Sequence, residues 1–210
     1  MSGRGRGSLA PPPLRRTMNL ARASSLLFGV ELLNTALGFF GTVYFARELG
    51  ATLLGIFFLF EATLYTMATV VDFGLRGAVE KRISAGDDPA QMFGAAVVLK
   101  LLLIVIVSGL VLAVRQPLAG YIGVDLAFEL IGVVIAFELS MLVIHVLQGE
   151  LRVGQTAVLH FLRSLTFVAV AVVLLQYGYG VRALVYALLV SYTVLLVGGI
   201  LRVSTPVARP

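Results

Sequence analysis

A chain of 210 residues that is 59% hydrophobic and 13% charged, with a mean hydropathy of +1.00, departs from an ordinary soluble domain in both measures at once. The apolar residues sit in long runs, which excludes a soluble globular enzyme, and their abundance excludes intrinsic disorder. The formal charge of +5 arises from 16 Lys and Arg against 11 Asp and Glu, and with no cysteine there is neither a disulfide nor a thiolate metal site.

The first 17 residues, MSGRGRGSLAPPPLRRT, are rich in Gly, Pro and Arg and predict a disordered basic tail, with Met18 as an alternative start. They resemble the basic region of a signal peptide. The apolar run that follows is too long for one and contains Glu31 and Asn34, so an uncleaved first helix is expected. Since about 20 helical residues cross a bilayer core, residues 18–203 divide into six spans, near 24–47, 53–73, 91–114, 126–147, 156–177 and 181–202. Gly50 and Thr52 separate the first two, Asp88-Pro89 opens the third, Asp125 precedes the fourth, and Gly154 to Thr156 and the YGYG run at 177–180 separate the last three. The 74–90 segment sets Leu75, Val79 and Ile83 at helical spacing beside Arg76, Lys81 and Arg82, which reads either as a short helix on the membrane face or as a solvated loop. Residues 204–210 read as the start of a linker or a truncated end.

Eleven Lys and Arg residues fall on one side of this arrangement, in the N-terminal segment, the 74–90 and 148–155 connections and the C-terminus; Arg47, Arg115 and Arg182 fall on the other. That asymmetry predicts a multi-pass protein of the cell membrane with both termini cytoplasmic. Tyr44, Tyr121, Tyr177 and Tyr179 then all lie at the outer interface, where amphipathic rings are favoured. The net charge therefore reports topology first, and no nucleic-acid partner is implied.

Lys100 and Arg163 are left inside spans. A charge at the centre of a membrane helix costs roughly 2.5–3.5 kcal/mol, so intramembrane ionisable groups are candidate functional sites. Polar residues fall into helical stripes: Glu31, Asn34, Gly38 and Gly41; Glu61, Tyr65, Thr69 and Asp72; Glu138, Met141, His145 and Gln148; Thr156, His160 and Arg163. The pattern predicts a charged cavity open towards the cytoplasm. The duller readings are that Arg163 and Lys100 snorkel, that His145 and His160 hydrogen-bond near the surface, that Asp72 ends a helix, and that Gly38 and Gly41 serve close packing. No metal-ligand spacing, phosphate-cradling loop or paired nucleophile and base is present, so no enzyme and no cofactor is expected.

Three segments then acquire meaning together. FARELGATLLGIF at 45–57, with Arg47, Leu49, Gly50 and Gly55, resembles the first hairpin of polysaccharide-export flippases of the multidrug/oligosaccharidyl-lipid/polysaccharide exporter superfamily. DFGLRGAV at 72–79, with Asp72, Gly74 and Leu75, resembles that family's segment closing the second span, and LQGELRVGQ at 147–155, with Gln148, Gly149 and Arg152, its turn between spans four and five. The resemblance implies an all-α integral membrane fold in which six transmembrane helices form one lobe of a two-lobe exporter working by alternating access. It further implies a substrate glycan linked to a polyprenyl or dolichyl (pyro)phosphate, moved from the cytoplasmic to the outer leaflet. Side-chain chemistry would then give Lys100 and Arg163 the carrier phosphate, Asn34, Tyr65 and Gln148 the sugar hydroxyls, and Glu31, Glu61, Glu138 and His145 a coupling proton or Na⁺.

The length is that of one lobe, so either a truncated product or assembly with a second copy or a missing C-terminal lobe is expected, truncation being favoured. The rival readings are a multidrug or cation antiporter of the same superfamily, a non-transporting membrane subunit of a glycan-assembly complex, and an intramembrane enzyme.

Overall fold

The computed structural model describes the backbone of residues 14–85 and 89–203, and the side chains of 28–85 and 93–203. The expected tail up to residue 13 and the expected linker at 204–210 lie outside the described residues. The chain is all-α: α1 Leu14–Asp72, α2 Leu75–Ala85, α3 Pro89–Ala113, α4 Arg115–Ile122, α5 Ala127–Gly149, α6 Val153–Gln176 and α7 Val181–Ile200. Among the described residues, five of these helices contain stretches long and apolar enough to cross a membrane: Phe28–Asp72 in α1, Phe93–Ala113, Ala127–Gly149, Val153–Gln176 and Val181–Ile200. The protein is a multi-span membrane helical bundle.

α1 is not one rod. Gly50 interrupts it with φ 73° and ψ 171°, a conformation open in practice to glycine alone. Phe45 and Phe57 both lie against the Phe167 ring, at centroid distances of 5.8 and 6.2 Å. Twelve residues of unbroken helix would hold them about 18 Å apart, so the chain folds back at Gly50 into two antiparallel arms. The break predicted between 47 and 53 is this reversal. A Gly50→Ala substitution is expected to cost about 1–3 kcal/mol through backbone strain. It would be read as a lower Tm of the chain in detergent; an unchanged Tm would show that the reversal tolerates a Cβ.

α5 sits at the centre, with Leu130, Val133, Val134, Leu142, Ile144, Val146 and Leu147 all buried. α1, α2, α3, α6 and α7 all pack against it, as expected of a helix at the core of a bundle. α3, by contrast, exposes Leu102, Val105 and Ile106, as a lipid-facing helix does. α7 wedges close to its neighbours through Gly198 and Gly199, where a Cβ would come within 2.8 Å of Leu159 and 2.7 Å of Val143.

Two features depart from or decide between the sequence expectations. Within the 74–90 segment, Leu75–Ala85 is helical, because Val79 and Ile83 find a buried seat against α5 beside Gly149. Residues 115–122, expected as plain connection, form α4, with Pro117 in its first turn, where a missing N–H is harmless. At this end of the bundle the Arg115 guanidinium reaches Asp125 at 2.8 Å and holds its carboxyl below the usual carboxylate range, and Arg182 lies 3.6 Å from Glu129. At the opposite end, the Arg152 guanidinium donates to the Arg202 carbonyl, tying the α5–α6 turn to the end of α7.

Candidate functional site

The second arm of α1 presents Glu61, Tyr65, Thr69 and Asp72 at steps of four, four and three, a stripe about 16 Å long. Two cavities lie along it and share Tyr65. The upper one, about 190 Å³, is bounded by Gly38 and Thr42 of the first arm, Glu61 and Tyr65 of the second, and Arg163 and Phe167 of α6. The lower one, about 260 Å³, is bounded by Tyr65, Thr69, Asp72, Gly74, Arg76 and Phe137.

In the upper cavity the Tyr65 hydroxyl donates to Glu61 Oε1 at 3.2 Å. The Arg163 guanidinium stacks 5.3 Å over the Tyr192 ring and donates to Ser164 Oγ at 3.1 Å, an arrangement that holds the cation in place without neutralising it. Phe137 stands edge-on to both Tyr65 and Tyr192, at 5.8 and 4.9 Å. These three rings form the wall between α1, α5 and α7.

At the lower end four charges meet. Phe73 and Gly74, with φ of 42° and 81°, turn the chain tightly out of α1, so that Arg76 comes back under Asp72: its Nε lies 3.1 Å from Asp72 Oδ1. Arg76 Nη2 is 2.5 Å from Glu138 Oε1, and its guanidinium lies 5.0 Å from the Phe137 ring. Lys100 Nζ reaches both carboxylates, Asp72 Oδ1 at 3.0 Å and Glu138 Oε2 at 2.6 Å. Lys100 and Glu138 are 0% exposed, whereas Arg76 and Asp72 keep 19% and 20% exposure at the edge of the lower cavity. Two cations and two anions sum to zero, which is how ionisable groups persist in an apolar bundle.

The residues singled out in the sequence are therefore distributed unevenly. Glu61, Tyr65 and Arg163 meet around the upper cavity. Lys100 and Glu138 are sealed inside the ion cluster and line neither cavity, because each finds the other and a second partner before it finds water. Glu31 is exposed on the first arm, and Asn34, half-buried there, has its Oδ1 buried without a partner. His145 Nδ1 lies 2.8 Å from Glu80 Oε2 of α2, and Gln148 is half-buried one turn further along α5. Arg76, Phe137 and Tyr192 complete the site without having been singled out for it. Arg76 had a signal, standing four residues after Asp72 across a glycine turn; the two rings look like ordinary core residues in sequence. Among the described residues no group of three or more His, Cys, Asp or Glu is placed to hold a metal ion.

The matching segments have structural work too. Gly50 makes the reversal in α1, Gly74 the turn that returns Arg76 to Asp72, and Gly149 the close approach of α5 to Ile83, while Arg152 secures the end of α7. Over 193 residues the chain is 42% identical to the "Probable low-salt glycan biosynthesis flippase Agl15" of Haloferax volcanii, covering 92% of this chain and 41% of that protein. Over 194 residues it is 31% identical to the "Probable flippase AglR" of the same organism, covering 91% of this chain and 40% of that one. The chain is a homologue of these two flippases. It spans about two fifths of their length. No family model and no solved structure matches it. The similarity takes in nearly the whole bundle, so the two cavities and the ion cluster lie within the part that is shared.

Proposed function

We propose that the chain forms one six-helix lobe of a flippase that moves a lipid-linked oligosaccharide or polysaccharide repeat unit across the membrane by alternating access. The two arms of α1 supply two of the six crossings, and α3, α5, α6 and α7 the others. The end bearing α2, with Arg76, Lys81, Arg82, Arg152 and Arg202, is the cytoplasmic one. The observation that carries this reading is the 42% identity to a glycan-biosynthesis flippase over 92% of the chain. The geometry suits it: two cavities that share Tyr65 lie along the second arm of α1, one lined by Arg163 stacked on Tyr192 and the other by Arg76 beside Phe137.

In this reading Arg163 and Arg76 meet the (pyro)phosphate of the carrier, and Tyr65, Thr69, Asn34 and Gln148 bond sugar hydroxyls. Glu61, Glu31 and the Glu80–His145 pair are the groups to carry a coupling proton or Na⁺, while Glu138 acts through the cluster that holds it. A second lobe, or a second copy of this one, closes the path. Arg163, held as a cation in the upper cavity, disfavours a cationic drug as substrate.

The test is a chimera in which this chain replaces the matching segment of Agl15 in Haloferax volcanii cells lacking that protein. The chimera is expected to restore the low-salt glycan. Arg163→Ala is expected to abolish it at normal chimera abundance, and Arg163→Lys to restore it only partly, since an ammonium lacks the planar stack on Tyr192. A chimera that is abundant in the membrane but restores no glycan, or an Arg163→Ala chimera that restores it fully, would overturn the reading.

A further inference from the structure

We infer that Lys100, although wholly buried, is a positioning residue that frees Arg76 to bind a phosphate or pyrophosphate group in the lower cavity, with Glu138 as the opposing restraint. The inference rests on the proposed phosphate role of Arg76 and assigns a mechanism to the cluster around it.

The pairing within the cluster is asymmetric. Lys100 Nζ touches both carboxylates, at 3.0 and 2.6 Å. Arg76 also touches both, at 3.1 and 2.5 Å. Each carboxylate thus has two cations, and if one cation leaves, each carboxylate keeps a contact with the other. Only one of the two has somewhere to go. Arg76 lines the 260 Å³ cavity and is partly exposed, whereas Lys100 lines no cavity and has no exposed surface. Lys100 is therefore the resident counterion and Arg76 the exchangeable one. A guanidinium also offers five donors in a planar fork suited to a phosphate, and the polar side chains of Tyr65 and Thr69 help line the same cavity. When Arg76 turns to an incoming anion, Lys100 still contacts both Asp72 and Glu138, so neither carboxylate loses its last cation, and the charge left over falls to Asp72, the partly exposed one at the cavity edge. Glu138 works the other way, because its short contact to Arg76 competes with the ligand.

Two substitutions at residues that cannot touch the ligand should thus move affinity in opposite directions. The full chain in detergent is titrated with inorganic pyrophosphate and, in parallel, with geranyl pyrophosphate, and Kd is measured on folded protein well below its Tm. Arg76→Met is expected to abolish binding. Lys100→Met is expected to weaken it about ten-fold, and Glu138→Gln to tighten it by several-fold, a coupling of ordinary size between neighbouring groups. A merely structural cluster would weaken binding in both variants or change it in neither. If Lys100→Met does not fold, Glu138→Gln decides alone, and unchanged or weaker binding there overturns the inference. Wild-type affinity in folded Lys100→Met also overturns it, while leaving the phosphate site in place if Arg76→Met has lost binding. Wild-type affinity in Arg76→Met removes the phosphate site itself. Tighter binding of the geranyl compound identifies a lipid headgroup as the ligand, and equal binding a free phosphate.

Discussion

Replacing Lys100 with Met is expected to lower the stability of the folded chain by about 3–5 kcal/mol, the usual cost of removing one partner from a buried ion pair. The size follows from what remains. Glu138 is 0% exposed and Asp72 only 20%, so two carboxylates would share Arg76 as their single cation, far from water. The double variant Lys100→Met/Glu138→Met is expected to recover most of the loss. It leaves Asp72 with Arg76 at 3.1 Å, a neutral pair at the cavity edge, and puts apolar side chains where the other two charges were sealed. Thermal unfolding in detergent of the wild type, both single variants and the double variant closes a cycle. A single variant as stable as the wild type, or a double variant worse than the sum of its parts, would show that these charges do not hold one another.

The second large effect is steric. A Cβ on Gly149 would sit 2.9 Å from the Ile83 Cβ, closer than real contacts allow, and 3.2 Å from the Glu80 carbonyl, which is tight. Gly149→Val is therefore expected to push α2 off α5 and cost about 1–3 kcal/mol by overpacking. Because α2 also brings Glu80 to His145 and starts beside Arg76 in the ion cluster, the displacement should reach the lower cavity as well. Adding Ile83→Ala removes the Cγ2 that a Cβ on Gly149 would meet at 3.1 Å but keeps the Cβ at 2.9 Å and the Glu80 carbonyl, so it should return only part of the stability. Melting temperatures of the two single variants and the pair test this; an undisturbed Gly149→Val would mean that the approach of α2 is not tight.

What could be read without coordinates is what depends on local chemistry. Long apolar runs force helices because a membrane offers backbone groups no other partner. Gly50 was legible as a break because few other residues do what it does there. Of the four tyrosines expected at the outer interface, Tyr121, Tyr177 and Tyr179 are exposed and Tyr44 is half-buried. The helix at 115–122 was missed because RQPLAGYI has too little apolar periodicity to announce itself. The stripe of Glu61, Tyr65, Thr69 and Asp72 was legible as one face of a helix, since 3.6 residues per turn leaves no choice.

Partnership was not legible in this way. Lys100 and Glu138 looked like charges awaiting a substrate, because in a linear chain they stand 38 residues apart and nothing local neutralises either. Arg76 looked like one more cytoplasmic cation. Only the packing of α2, α3 and α5 around the end of α1 pairs all four, and only that packing makes Arg76 the member left facing a cavity. The sequence by itself determined that this protein is a helical membrane bundle with charges buried in it, because helix formation and membrane burial follow from residue type and spacing. The tertiary structure decided which charges are spent on one another and which remain available, because Coulomb interaction in an apolar interior depends on distances of a few ångströms that no local rule sets.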